Sequence, residues 1–329
     1  MTVVAVLDDI HGAFLTAQPF DRLRERVEVR VFQRRLDPPD RAPALSDVDI
    51  AVALRERTRF DAAFLADAPS LKLIVQTGRV GPNLDMDAVT RAGVLVAGAG
   101  GGSSVSTVEL TFGLMIDVLR QIPQSDRRMR DGTWEVPYGR VLRGRTLGLV
   151  GMGRIGSQVA EIAAGAFGMQ VLAWSRNMTP ERAAKVGGQA VGLDDLLRTA
   201  DIVSVHLTLN DGTRGLLTAE KLALMRPEAY FINTARGRIV DEPALARMLA
   251  EGRLAGAGLD VFWEEPLPPS SPLLGLDNVV LTPHVGWPAD ASYQTYAESA
   301  TRVIEAYLDG GAVDFANPEA RSARQRTSA

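Results

Sequence analysis

Residues 146–156 read Thr146-Leu147-Gly148-Leu149-Val150-Gly151-Met152-Gly153-Arg154-Ile155-Gly156. The apolar run 146–150 suits a buried parallel strand bounded by glycine. Over 154–167, Ile155, Val159, Ile162, Ala163 and Phe167 recur on one face at helical spacing. Between strand and helix, Gly151, Gly153 and Gly156 stand in G-x-G-x-x-G order. The first glycine permits the tight turn. The second lets a pyrophosphate approach the backbone with no Cβ in the way, and the third lets helix and strand pack closely. The helix start, with Arg154 and Ile155, offers N–H groups and the positive end of its dipole to the phosphates. A bare glycine pattern says little in a chain with 31 glycines. Flanked by a strand and an amphipathic helix, it points to a dinucleotide site. The alternative is a glycine turn in some other α/β protein.

Working outward, 329 residues exceed one small core and suit two domains. A hydrophobic content of 46%, a charged content of 23% and a mean hydropathy near zero describe an ordinary globular protein. A net charge of -4 gives no reason to expect a nucleic acid or an anionic membrane as partner. The chain has no cysteine, which excludes disulfides, thiolate zinc sites and cysteine nucleophiles. No metal is expected. The lack of cysteine fits the cytosol, and no run has the form of a membrane span or a signal peptide, so a cytoplasmic protein is expected. The opening Val3-Val4-Ala5-Val6-Leu7 reads as the first strand of a sheet, ending in Asp8-Asp9.

From there strands and helices alternate. Strands are expected at 27–32, 50–54, 71–76 and 94–97, helices at 60–66 and 87–92, and a Pro-rich loop at 37–40. Units of this length imply a parallel doubly wound sheet, with ligands at the carboxyl ends of its strands. The loop Thr77-Gly78-Arg79-Val80-Gly81-Pro82-Asn83 is therefore a candidate site. A glycine hinge at 98–102 leads to a long apolar helix at 105–119 that would cross towards the next domain. A second series follows at 147–150, 171–174, 202–207, 230–233, 256–259 and 279–281. Six parallel strands match a dinucleotide-binding domain. A helix around 293–307 would return to the first domain, and the polar tail is expected to be disordered. The fold class expected is α/β, with two doubly wound parallel-sheet domains. The boundaries are 1–99 with 288–315, then 100–287, then a tail at 316–329.

Cofactor choice turns on the end of the strand 171–174. An acidic residue there accepts hydrogen bonds from the adenosine ribose in an NAD site. This chain has Ser175 followed by Arg176. A serine does not repel a 2′-phosphate and an arginine can pair with it, which leans to NADP over NAD. The alternative is an exposed loop arginine that touches nothing. Three later strands end in Asn233-Thr234-Ala235-Arg236-Gly237, in Asp260-Val261-Phe262-Trp263-Glu264-Glu265-Pro266, and in Thr282-Pro283-His284-Val285-Gly286-Trp287. One parallel sheet thus delivers Arg236, Glu265 and His284 to the rim that holds the glycine turn. Histidine suits proton transfer near neutral pH. Of the other two histidines, His206 reads as a satisfied core residue inside its strand, and His11 follows the first strand as a substrate-site candidate.

With these residues in place, the chain resembles the D-isomer-specific 2-hydroxyacid dehydrogenases, NAD(P)-dependent enzymes with a split, flavodoxin-like substrate domain around a Rossmann domain. The likeness runs from about 71 to 287. It includes Leu142-Arg143-Gly144-Arg145-Thr146-Leu147-Gly148, with Arg145 where the family has lysine, Asn233 to Gly237 with Val240-Asp241-Glu242, Asp260-Val261-Phe262 with Glu265-Pro266, and Thr282-Pro283-His284. The resemblance implies hydride transfer between NAD(P)H and C2 of a 2-keto or D-2-hydroxy acid. It gives Arg236 the substrate carboxylate and the C2 oxygen, and makes His284 the acid–base group. Glu265 would orient the imidazole, and Asp260 would hold the carboxamide. Thr234, Ala235 and Gly286 would line the cofactor. Thr77, Gly78, Arg79 and Trp287 would contact the substrate. Domain closure would exclude water. The family is usually dimeric, so a homodimer is expected, with the helix at 105–119 able to supply the contact.

The first-domain loop departs from the family's G-x-G-x-D-N. Arg79 adds a cation there, either for a second acidic group on the substrate or as a solvated loop residue. Trp287, Trp134 and Tyr138 could wall a larger substrate side chain, or serve packing or dimer contact. Two other functions fit the motifs. One is a formate- or phosphite-type dehydrogenase on this scaffold, against whose formate version Glu265 counts. The other is a non-catalytic NAD(H)-binding regulator of corepressor type.

Overall fold

Three valines, an alanine and a leucine, all buried, make the first strand, β1 (Val3–Leu7). Such a run can be buried on both faces, as a central parallel strand is. In this computed structural model, which describes residues 1–78, 80–100 and 103–322, the chain divides into two units. They are Met1–Ser103 with Pro288–Ala329, and Ser104–Trp287.

In the first unit, β1 is followed by α1 (Gln18–Arg24), β2 (Glu28–Val31), α2 (Pro38–Leu45), β3 (Ile50–Ala53), α3 (Ala62–Asp67), β4 (Leu73–Thr77), α4 (Met86–Arg91) and β5 (Leu95–Ala99). The strands are all parallel, in the order β2-β1-β3-β4-β5. That is the flavodoxin-like order. Val3, Ala5 and Leu7 pack with Leu45, Phe64 and Val89 on one face. Asp61 and Asp85 start α3 and α4 by accepting the N–H groups of Phe64 and Ala88. The stretch 37–40, expected as a loop, instead opens α2, with Pro38 at its first position. Proline lacks only an N–H that a helix leaves unpaired there, and its fixed φ suits the first turn. Of the expected glycine hinge, Gly98 lies within β5, and Gly101 and Gly102 fall outside the described residues.

The second unit runs α5 (Val105–Arg120), α6 (Ile122–Arg130), β6 (Thr146–Val150), α7 (Arg154–Gly165), β7 (Gln170–Trp174), α8 (Pro180–Ala184), β8 (Gly188–Ala190), α9 (Leu193–Thr199), β9 (Ile202–Val205), α10 (Ala219–Leu222), β10 (Tyr230–Asn233), α11 (Glu242–Ala250), β11 (Gly256–Leu259) and β12 (Val279–Leu281). Its sheet has seven parallel strands in the order β12-β11-β10-β9-β6-β7-β8. The sequence pattern predicts six. The extra strand, Gly-Gln-Ala, has no apolar run to betray it and forms by pairing with β7. The expected strand at 202–207 stops at Val205, which leaves His206 in the loop. Leu147, Leu149, Ile202 and Ile232 pack with α5 and α7 on one face, while Val150, Val203, Val205 and Phe231 pack with α9, α10 and α11 on the other. Helix α5 therefore lies on its own unit's sheet, against β10, β11 and β12.

The last helix, α12 (Asp290–Leu308), belongs to the first unit and packs on α1, β4 and β5. The tail corrects its expected disorder over its first residues. Ala316 N–H donates to Val96 O, and the buried Asn317 accepts from Val96 N–H at 2.8 Å while donating to Thr90 Oγ1 and Val94 O. One asparagine thus serves the backbone of β5, which a composition reading of a polar tail cannot detect. Residues 323–329 fall outside the described residues. Among the described residues no helix is long and apolar enough to cross a membrane.

Candidate active site

The register of the second sheet builds the site. Trp174 pairs with Val150, Val150 with Val205, Val205 with Asn233, Asn233 with Leu259, and Leu259 with Leu281. The connections that begin at Ser175, Gly151, His206, Thr234, Asp260 and Thr282 therefore leave one edge of the sheet together. Strand β6 lies between β7 and β9, where the winding reverses, and such switch points hold ligands.

At the turn after β6 the glycines divide their work. Gly151 has φ +111°, and a Cβ there would stand 2.6 Å from His206 O. A Cβ on Gly156 would stand 2.2 Å from Gly151 O. These two glycines answer to the protein's own backbone. Gly153 does not, because a Cβ there would meet nothing within 4 Å. It precedes α7, whose first turn has no side-chain cap. The open space at a helix start suits a pyrophosphate. Arg154 is exposed and Ile155 half-buried beside this turn. Past β7, Ser175 is half-buried, and exposed Arg176 donates to Gly212 O at 3.1 Å. Arg182, which the sequence reading missed, donates to Asn177 O at 2.6 Å and to Met152 O at 3.3 Å. It ties the glycine turn to the Ser175–Asn177 loop from three residues past a Thr179 cap, a position with no motif to mark it.

The strands β10, β11 and β12 bring in the charged groups. Glu265 Oε2 lies 2.7 Å from His284 Nδ1, and Glu265 Oε1 accepts from Phe262 N–H at 3.0 Å. Burial opposes the charge on Glu265. The hydrogen bonds from His284 and Phe262, with the charges of His284 and Arg236, outweigh it and hold the carboxyl below its ordinary value. With Nδ1 engaged, Nε2 is the imidazole nitrogen left for other chemistry. Arg236 is exposed and donates to Ala235 O at 2.6 Å. Thr234 is buried with its hydroxyl 3.0 Å from Thr111 Oγ1, and Ala235 N–H donates to Asn233 Oδ1 at 3.0 Å.

His284 has φ +54°, a left-handed backbone that costs energy for a residue with a Cβ. Asp260 supplies the constraint. Its Oδ1 accepts from Thr282 Oγ1 at 2.6 Å and from Val285 N–H at 2.8 Å, and its Oδ2 accepts from Gly286 N–H at 2.9 Å. Burial raises the Asp260 carboxyl above its ordinary value against those three bonds and the His284 charge. Asp260 thus holds the turn that presents His284. Gly286 is buried beside it, and Trp287 is half-buried. His206 bonds Ser204 Oγ at 2.9 Å, and burial pushes its imidazole down to about 4. Trp134 and Tyr138 are 83% and 89% exposed, so neither packs within its unit.

In the first unit, buried Thr77 accepts from Arg55 N–H at 2.9 Å through its hydroxyl. Gly78 has φ +81°, and a Cβ there would lie 2.5 Å from Arg55 Nη1. Arg55, itself at φ +57°, is a cation that the sequence reading missed beside this loop. Arg79 lies outside the described residues. His11 is exposed, with its ring edge-on to Tyr293 at 5.9 Å. Among the described residues no cluster of acidic and histidine side chains could hold a metal.

Comparisons with known proteins show the family of the chain. Residues 112–286 match the family model described as D-isomer specific 2-hydroxyacid dehydrogenase, NAD binding domain. D-3-phosphoglycerate dehydrogenase of Mycobacterium tuberculosis is 41% identical over 290 residues, 87% of this chain and 53% of that protein. The chain thus spans about half the length of the phosphoglycerate dehydrogenases it first matches. Glyoxylate reductase of Aeropyrum pernix is 38% identical over 307 residues, 89% of this chain and 90% of that protein. A solved oxidoreductase structure from Ralstonia solanacearum superposes with a TM-score of 0.86 at 38% identity, covering 98% of both chains. The chain belongs to the D-isomer specific 2-hydroxyacid dehydrogenase family.

Proposed function

We propose that the protein is a nicotinamide-dependent reductase of small 2-keto acids, forming D-2-hydroxy acids. The reading rests above all on the His284–Glu265 pair at 2.7 Å, carried on the same sheet edge as Arg236 and the glycine turn. The bound nicotinamide supplies the hydride. His284 Nε2 donates the proton that the C2 oxygen needs on reduction, and takes it back on oxidation. Glu265 keeps the ring oriented through its contact with Nδ1. The Arg236 guanidinium pairs with the substrate carboxylate as a planar fork. In the first unit, Thr77 and Gly78, joined by Arg55, form the proposed carboxylate-binding element, with Arg79 a substrate contact proposed from the sequence alone; in the second, Trp287 is the proposed side-chain contact. Thr234, Ala235, Asp260 and Gly286 line the cofactor with Gly151, Gly153, Arg154, Ile155 and Gly156.

Ser175 and Arg176 support NADP over NAD, because no carboxylate there repels a 2′-phosphate. Glyoxylate leads the substrate candidates, since the Aeropyrum pernix glyoxylate reductase matches over most of both chains. The exposed apolar run Trp134, Val136, Tyr138 and Val141 supports a homodimer, as apolar side chains at 64–89% exposure gain by burial. The test follows nicotinamide absorbance with NADPH and NADH over glyoxylate, hydroxypyruvate, pyruvate, phenylpyruvate, a branched keto acid and oxaloacetate. Turnover that is lost in His284→Asn is expected. Cofactor binding with no turnover of any of these acids would overturn the reading.

A further inference from the structure

Two connections of the second unit carry the charged groups of the candidate site. The one after β10 bears Arg236, and the one after β11 bears Asp260 and Glu265. They are fastened to each other at three points. A Cβ on Gly237 would stand 2.1 Å from Phe262 C, so the two backbones are in direct contact there. The Trp263 indole donates from Nε1 to Val240 O at 2.6 Å. The Trp263 backbone N–H donates to Glu242 Oε2 at 2.8 Å.

Glu242 is the first residue of α11, but Asp241 already caps that helix by accepting from Ala244 N–H. The Glu242 carboxylate is turned instead to the neighbouring connection. The two adjacent peptide N–H groups of 262 and 263 are thus held by two carboxylates, Glu265 and Glu242. We propose that Glu242, with Trp263, is a positioning residue for the reaction: it clasps the Glu265 connection to the Arg236 connection and so sets the His284 imidazole against the guanidinium that holds the substrate. The inference rests on the acid–base reading of His284.

A clasp of this kind acts on the site by distance and by charge. The charged groups of this unit that face the pair are Arg236, Asp260 and Glu242, with Arg238 beside Glu242. Burial raises the Glu242 carboxyl above its ordinary value. The Trp263 N–H and the Arg238 charge oppose that rise, and the like charge of Glu265 adds to it. When ionised, Glu242 places a further negative charge near the Glu265–His284 pair, from which reduction draws its proton.

Three variants separate these effects. Glu242→Gln keeps an acceptor for Trp263 N–H and removes the charge. Glu242→Ala removes both, and Trp263→Phe removes only the indole donor. In Glu242→Ala, kcat should fall about tenfold, the size of a small misplacement of catalytic groups, with cofactor affinity unchanged. In Glu242→Gln, kcat at the optimum should stay close to wild type. The limb on which reduction declines with rising pH should move about half a unit lower, as expected for one removed charge near the site. A wild-type kcat in Glu242→Ala, or a loss of kcat matched by an equal loss of cofactor affinity, overturns the clasp. If Glu242→Ala does not fold, an unmoved limb in Glu242→Gln overturns it.

A second readout does not depend on turnover. The chain has four tryptophans, and with tryptophan alone isotope-labelled, Trp263→Phe identifies by NMR the backbone amide resonance of Trp263, the N–H that donates to Glu242. That resonance should shift with pH as Glu242 titrates above the ordinary glutamate range, and should stay still in Glu242→Gln. Equal movement in both proteins refutes the contact. A wild type that reduces no keto acid would refute the functional reading and leave this titration to decide the clasp.

Discussion

Replacing Gly153 and Gly156 separately by alanine should divide ligand binding from folding. At Gly156 the added methyl would stand 2.2 Å from Gly151 O, where roughly 3.5 Å is a comfortable separation. Backbone must move to admit it. Overpacking of this kind costs about 3 kcal/mol. For a domain of this size that lowers Tm by roughly 6–12 °C. At Gly153 the methyl meets nothing within 4 Å, and φ is −89°, which alanine adopts readily. Loss of backbone freedom in the unfolded chain favours alanine, and the cap position disfavours it, so stability should change by less than about 1 kcal/mol. The methyl instead enters the space proposed for the pyrophosphate. A clash of about 2 kcal/mol there weakens cofactor binding roughly 30-fold. Calorimetry and fluorescence titration with NADPH and NADH measure the two effects. Gly153→Ala binding cofactor as wild type does would refute the placement of the pyrophosphate. Gly153→Ala melting as early as Gly156→Ala would refute the assignment of open space.

Three further outcomes are expected. Ser175→Asp should raise the NADPH KM at least about tenfold and leave the NADH KM nearly unchanged, through repulsion of the 2′-phosphate; equal changes for both cofactors would remove Ser175 from the adenosine site. Asn317→Ala should cost about 3 kcal/mol, because it leaves the Val96 N–H of β5 without its acceptor; an unchanged Tm would show that the tail does not hold the strand. His206 titrates at about 4 in the fold against the ordinary 6.5. Between those values the unfolded chain binds a proton that the folded chain refuses. Stability should therefore decline as pH drops through that window, by up to about 3 kcal/mol. Denaturant midpoints of wild type and His206→Asn should converge in acid, and parallel curves would refute the burial argument.

The parts of the site legible in the sequence are those whose chemistry lies within a few residues of a strand end. Gly151, Gly153 and Gly156 could be read because each constraint acts over one turn. Arg236 and His284 could be read because each follows an apolar strand, and Glu265 because it stands in the acidic stretch of the connection after β11. The strand β8 could not, since Gly-Gln-Ala has no pattern of its own and becomes a strand only by pairing with β7. The helix start at Pro38 was hidden because two prolines read as a loop until the chain beyond them is seen to be helical. Arg55, Arg182 and Asn317 were missed for a related reason. Each acts through contacts with Gly78, Met152 or Val96 that no local spacing encodes.

By itself the sequence determined the alternation of strands and helices, the two parallel sheets, the glycine turn and the residue types able to move a proton and hold an anion. Periodicity and turn chemistry act over a few residues, and so they are written locally. Only the tertiary structure decided that Asp260 grips the strained turn of His284, and that Glu265 meets the imidazole at Nδ1 and not at Nε2. It also decided that Glu242 and Trp263 join two connections. Those arrangements depend on the register of β10, β11 and β12, which sets residues distant in the chain a few ångströms apart.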